Sequence, residues 1–173
     1  KTAQTEKIDR QSLYEVVVTS ATVGRVIDMG IIDESNMGAA MAPAAADTLI
    51  AHFRETGRAP SYYDIILTGD LGRHGKKMLG FLMEDEGFTL PETYDDCGAM
   101  YYKEEQKAIQ GGSGAGCSST AFCAHFLPRL LRGELKKVLF VPTGALLNKD
   151  TPLQKETIPA VAHAVAFESK KVF

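Results

Sequence analysis

The chain has 173 residues, a formal net charge of −3, 45% hydrophobic and 24% charged residues. That length gives one real core, burying roughly two-thirds of the unfolded surface, and the ordinary composition excludes disordered, collagen-like and low-complexity classes. No apolar run approaches the ~20 residues of a membrane span, residues 1–10 are too polar for a signal peptide, and a sequence pI of about 5.8 leaves no nucleic-acid footprint.

Residues 1–12 are polar and aperiodic and read as a flexible tail or linker before a single domain at 13–173. Tyr14-Glu-Val-Val-Val-Thr-Ser-Ala-Thr-Val is β-branched and predicts a long strand. Residues 24–36 are loop. Helix follows from about Met37 to Glu55 on a run of alanines, with Pro43 placing its regular start near Ala42 and Gly57 its stop. Tyr63-Asp-Ile-Ile-Leu-Thr-Gly is a continuously apolar run of the kind covered on both faces in parallel sheets. Lys76 to Glu86 predicts an amphipathic helix, 88–98 a loop, and Ala99 to Tyr102 a short strand. A glycine cluster at 111–116 opens a helix from Ala115 to Leu131, which Pro128 should kink or break near Ala124. Lys137-Val-Leu-Phe-Val-Pro and Ile158 to Glu168 are the final strands. Strands alternating with helices predict an α/β fold with helices layered on the sheet.

The glycine cluster has two readings. Its N–H groups and the helix dipole behind them suit an anion, or the glycines let backbones pass closely. Gly112-x-Gly114-x-x-Cys117 lacks the last glycine of a dinucleotide fingerprint, and no Gly-Lys-Ser/Thr follows to make a phosphate loop. Cys97, Cys117 and Cys123 lack CxxC spacing and read as reduced thiols, neither disulfide framework nor zinc site. Cys117 lies in the first helical turn, where a dipole lowers a thiol pKa, but no histidine is placed to pair with it, and packing is the expected role. His52 reads as exposed, His125 as packed or hydrogen-bonded and His163 as a core histidine. His74 sits in the basic segment Leu71-Gly-Arg-His-Gly-Lys-Lys77 after a strand end, where α/β sheets bind ligands. Asp95-Asp96 and Glu84-Asp-Glu86 read as solvated surface.

Met37-Gly-Ala-Ala-Met-Ala-Pro-Ala-Ala-Ala-Asp47, Asp64-Ile-Ile-Leu-Thr-Gly-Asp-Leu71, Gly111-Gly-Ser-Gly, Thr143-Gly-Ala-Leu-Leu147 and Gln154-Lys-Glu-Thr-Ile-Pro159 resemble the stage V sporulation protein AD family. The resemblance covers nearly everything after Tyr14. It implies the C-terminal half of a thiolase-like protein, a layered mixed five-stranded sheet, with no counterpart of the family's N-terminal half. It further implies a non-catalytic protein that binds dipicolinic acid, with calcium as its chelate, for uptake into the developing spore. It would use no cofactor and work beside integral-membrane partners, as a peripheral component on the cytoplasmic face of the forespore inner membrane. The missing half or a homodimer mate would cover its open face; nucleic acid is not an expected partner.

In condensing relatives this half supplies a histidine after the strand resembling Asp64 to Leu67, and an asparagine or histidine in the glycine loop. Residue-by-residue carry-over places Gly69 and Gly112 there. Neither can polarise a thioester, and the two missing side chains should leave room for a flat aromatic ligand. A condensing enzyme and a purely structural module are the competing readings. The expected pocket lies at the strand ends, lined by Thr68, Gly69, Asp70, Gly112, Ser113, Gly114, Thr143 and Gly144. Asp70 repels a dianion there unless calcium bridges the two.

Overall fold

A computed structural model describes residues 13–172; the expected tail at 1–12 lies outside them. Strand β1 (Tyr14–Val23) has the predicted bounds and pairs antiparallel with the last strand along its whole length, with a register shift between Val18 and Ser20. The loop after it is tied to the start of the last strand by a bridge between Ile27 and Ala160 and by the Ile158 N–H on the Ile31 carbonyl.

Helix α1 (Met37–Thr56) begins earlier than Pro43 suggested, because the Asn36 side chain accepts the Ala39 N–H and caps the turn six residues before the proline. Pro43 sits inside the helix, where it withholds one N–H. Burial over-determines the helical path: Ala42, Ala44 and Ala45 are fully buried, as are Ala160, Ala162, Ala164 and Ala166 on the last strand. Small side chains on both surfaces let the helix lie close on the sheet. Gly57, at φ 67°, ends it in the left-handed region, as its position predicted.

After β2 (Ile65–Thr68), helix α2 spans Gly72–Asp85, four residues more at its start than the amphipathic pattern implied. A short β3 (Asp95–Asp96) runs parallel to β2, while the strand expected at Ala99 to Tyr102 is turn. The glycine-opened helix, α3, is one rod of three segments: Cys117–Ala121, a π-helical turn Phe122–Phe126, and Leu127–Leu131. The expected break near Ala124 is therefore a π-bulge, a change of hydrogen-bond pitch ahead of Pro128 that keeps the rod continuous. Strands β4 (Lys137–Val141) and β5 (Thr143–Ala145), a short helix α4 (Asp150–Gln154) and β6 (Ala160–Lys171) complete the chain.

The sheet order is β1-β6-β4-β2-β3, with β5 attached to β6, so the five-stranded expectation gains a sixth strand. β2 is parallel to β3 and β4, and β6 is antiparallel to its neighbours. Side chains alternate between two cores. Ile66, Leu139 and Val141 meet α1 and α2, whereas Leu67 and Val138 meet Phe122, Phe126 and Leu130 of α3. The carboxyl ends of β2 and β4 and the start of α3 come together at one edge of these layers.

Candidate functional site

The site is built on the turn that leaves β2. Thr68 and Asp96 are fully buried, and the Thr68 hydroxyl donates to Asp96 at 2.8 Å. The Asp96 carboxylate also accepts the N–H groups of Leu71 and Gly72 at 3.0 Å and of Ala99 at 2.9 Å. It thereby caps α2 from another element, at the positive end of the helix dipole. Burial pushes the Asp96 carboxyl up, an effect that these backbone and hydroxyl donors offset only in part. Reading Asp95-Asp96 as solvated surface is thus corrected at Asp96. A cap lying 24 residues beyond the first residue of the helix it serves leaves no local signal.

Asp70, two residues after β2, is the junction of the site. Its carboxylate accepts the Ser113 hydroxyl at 3.2 Å, the Gly114 N–H at 2.9 Å and the Thr143 hydroxyl at 3.3 Å. Segments 68–70, 112–114 and 143–144 therefore converge, but with different parts to play. Thr68 and Gly69 are buried beneath the surface, whereas Asp70, Ser113 and Gly114 face open space. The Gly112 N–H is spent on the Gly98 carbonyl at 2.7 Å and the Gly114 N–H on Asp70. The glycine loop thus packs and holds a carboxylate of the protein itself.

A Cβ on Gly69 would lie 2.7 Å from the Thr143 nitrogen and 2.8 Å from its hydroxyl; one on Gly112 would lie 2.9 Å from Tyr101 Cβ and Cγ. The room expected where side chains are missing is filled by Thr143 and Tyr101. Open space lies instead around Ser113, in three adjoining clefts. One, of about 410 Å3, is lined by Asn36, Gly38, Asp70, His74, Gln110 and Ser113 among others. A second, of about 400 Å3, lies between Tyr101, Tyr102 and the loop 112–117. The third, of about 290 Å3, is lined by Met37, Met41, Asp70, Ser113, Thr143 and Gly144. Sequence reasoning missed the two methionines, Gln110 and the tyrosines, because each reaches the site from an element whose position only the packed sheet sets.

The thiols are not poised for chemistry. Burial pushes Cys117 up to about 11 and Cys97 to about 12, against the dipole effect considered for Cys117. His74 borders the first cleft and is exposed. The expectations for two other histidines reverse. His52 is fully buried between the Thr22 hydroxyl (2.9 Å) and the Tyr63 hydroxyl (2.6 Å). His163 is exposed and faces the Gly24 N–H at 3.1 Å, because strand alternation turns it away from the alanines that touch α1. His125 is exposed, its ring edge-on to Phe126. Among the described residues no group of His, Cys, Asp and Glu side chains is arranged to hold a metal.

A mixed sheet in this order between helical layers, with an opening at its carboxyl edge, has the fold of one half of a thiolase-like condensing protein. A solved structure described as "AbyA1 - tetronic acid condensing enzyme" shares it with a TM-score of 0.51 at 14% identity, over 88% of this chain and 48% of that one. A 3-oxoacyl-(acyl-carrier-protein) synthase III is similar at a TM-score of 0.44 and 12% identity, over 91% of this chain and 51% of its own. The profile of the family Stage V sporulation protein AD matches residues 4–168, and the chain belongs to that family. Stage V sporulation protein AD of Bacillus subtilis (strain 168) is 45% identical over 158 residues, 91% of this chain and 47% of the relative. The chain thus spans about half the length of that curated relative.

Proposed function

We propose that this sporulation-family chain binds dipicolinate as its calcium chelate, without catalysing a reaction, at the clefts around Asp70. The observation that carries the reading is the Asp70 carboxylate, held by Ser113, Gly114 and Thr143 at the meeting of two clefts. A bare dianion would meet a fixed negative charge there, with the nearest loop donors already taken. A calcium ion carrying dipicolinate reverses the sign. Calcium takes roughly six to eight oxygen ligands, of which the carboxylates of the chelator supply several and Asp70 one more. The Ser113 and Thr143 hydroxyls stand beside it. Calcium is here cargo, part of the bound species.

The absence of catalysis is supported by Gly69 and Gly112, where condensing relatives are expected to carry imidazole or amide groups, and by neighbours that fill both spaces. It is supported as well by the raised thiols. In the cell the chain would act in calcium dipicolinate uptake, and in the germination that depends on this store. It would sit peripherally on the cytoplasmic face of the forespore inner membrane beside integral-membrane partners. Among the described residues no helix is long and apolar enough to cross a membrane.

Calorimetry with dipicolinate, with and without calcium, tests the reading on this chain and on its Asp70→Asn variant. Asp70→Asn keeps an acceptor of similar shape and removes the charge. Binding of the chelate should weaken at least about tenfold, roughly 1.4 kcal/mol, while binding of free dipicolinate should not weaken. Equal affinity of the variant for the chelate would remove Asp70 from the site. Turnover of acyl thioesters by the purified chain would overturn the non-catalytic reading.

A further inference from the structure

The two helices that flank the first cleft are each closed at their start by a side-chain amide. Asn36 precedes α1, and its Oδ1 accepts the Ala39 N–H at 3.3 Å. Gln110, far along the chain, serves α2. Its Oε1 accepts the His74 N–H and its backbone carbonyl the Arg73 N–H, both at 3.0 Å. Gly38 and Gly75 bring these helix starts together, since a Cβ on Gly38 would lie 2.7 Å from the Leu71 carbonyl oxygen and 2.9 Å from Gly75 Cα. Asn36 and Gln110 therefore line one cleft, of about 410 Å3, together with Asp70 and Ser113.

A backbone N–H needs an acceptor, and a side-chain amide offers one only at its oxygen. The capping bonds therefore fix which way each amide is turned, and they leave both amino groups on the side away from the helix N–H. Among the described residues no group accepts from the Asn36 Nδ2 or the Gln110 Nε2. Other donors nearby are committed. The Gly112 N–H goes to the Gly98 carbonyl, the Leu71 and Gly72 N–H groups to Asp96, and the Ser113 hydroxyl and Gly114 N–H to Asp70.

We infer that the Asn36 and Gln110 amino groups read the outward carboxylate oxygens of the bound chelate, which makes the first cleft its carboxylate subsite. The inference rests on the reading that calcium dipicolinate binds at Asp70. A planar 2,6-dicarboxylate holds a metal ion with its ring nitrogen and one oxygen of each carboxylate. The second oxygen of each carboxylate then points away from the ion and needs a donor, which Asp70 cannot supply. Amide amino groups held on two packed helix starts suit such oxygens, because a hydrogen bond to a charged acceptor is the strong kind. A site that reads an oxygen in this way also rejects an analogue that lacks it. Asn36 and Gln110 thus have two tasks each: the amide oxygen closes a helix, and the amide nitrogen selects the ligand.

The test is calorimetry of the 173-residue chain with calcium dipicolinate, comparing the parent with Asn36→Asp, Gln110→Glu and Asp70→Asn. Aspartate and glutamate keep an oxygen for the helix N–H, so the first two variants should melt at or above the parent temperature. Each should nevertheless bind the chelate at least about tenfold more weakly, since a donor becomes a charged acceptor. Calcium alone should bind them no more weakly than it binds the parent. The calcium complex of dipicolinic acid monoamide presents an amino group where one carboxylate oxygen stood, and Gln110→Glu should weaken it less than it weakens dipicolinate. Asn36→Ser, a good cap with neither amino group nor charge, should also lose affinity for the chelate, and it serves if a charged variant unfolds. Unaltered affinity in the Asn36 and Gln110 variants, or an equal loss for both chelators, would overturn the inference. If Asp70→Asn weakens binding while these variants do not, the carboxylate subsite falls and the Asp70 reading stands. A parent chain that binds no chelate would end both.

Discussion

Single buried residues hold this edge of the protein together, and Asp96 is the clearest case. It accepts three backbone N–H groups and one hydroxyl while fully buried. Asp96→Ala would strand those donors, and it should cost about 3 kcal/mol or more, read as a lower urea midpoint. Asp96→Asn, which keeps one acceptor, should cost less. His52 makes a different prediction. Burial, and secondarily the Arg58 charge, lower its pKa to about 4 from the ordinary 6.5. The unfolded chain then takes up a proton that the folded chain refuses, so stability is full above about pH 6.5 and falls as pH drops towards 4. The loss should approach about 3 kcal/mol, followed by chemical denaturation across that window. His52→Gln should flatten this part of the profile, and an unchanged slope would show that His52 is not its source.

Among the elements, the crossing of α1 over α2 sets the mouth of the first cleft. A Cβ on Gly75 would lie 2.8 Å from Gly38 Cα and 2.9 Å from Leu71 Cβ, so the helices touch backbone to backbone. Gly38 and Leu71 both line that cleft. Gly75→Ala should force the helices apart and cost about 2 kcal/mol, measured by thermal or urea unfolding, and should disturb ligand affinity at the cleft as well. The elements also mark how far local pattern reaches. β1, β2, β4 and the Gly57 stop were legible because each rests on residues within its own span: β-branched runs, an apolar block, a left-handed glycine. The start of α2 and the two-residue β3 were not. Asp96 caps one from a distance, and pairing with β2 alone makes the other a strand. The π-turn at Phe122–Phe126 was legible only as a disturbance near Pro128. Its pitch change follows from seating Phe122 and Phe126 on the sheet, with Phe122 stacked on Phe140 at 4.7 Å.

At the scale of the whole molecule, the loop 24–36 and the neighbouring segment 146–153, which runs into α4, leave a run of large apolar side chains open, among them Val26, Met29, Ile32, Leu146 and Leu153. The Ile158 N–H to Ile31 carbonyl bond at 2.7 Å ties these segments into one surface. Patches of this kind mark association surfaces. Light scattering should show the chain self-associating as concentration rises, through this face or in the presence of a second thiolase-like half. Strictly monomeric behaviour at high concentration would count against it.

The sequence by itself determined the fold class, the alternation of strands and helices, the family blocks and the three segments that converge on Asp70. All of these are encoded by short-range periodicity, glycine positions and contiguous motifs. Only the tertiary structure decided which groups are buried and which hydrogen bonds the site has already used. His52 and Asp96 look polar and exposed in sequence, yet each fills a place where partners from distant segments satisfy it. The glycine loop looks like a set of free N–H donors, yet Gly98 and Asp70 have taken them at Gly112 and Gly114. The physical reason is common to these cases: a polar group's state depends on who stands opposite it, and that is a property of the packed sheet rather than of any neighbour in the chain.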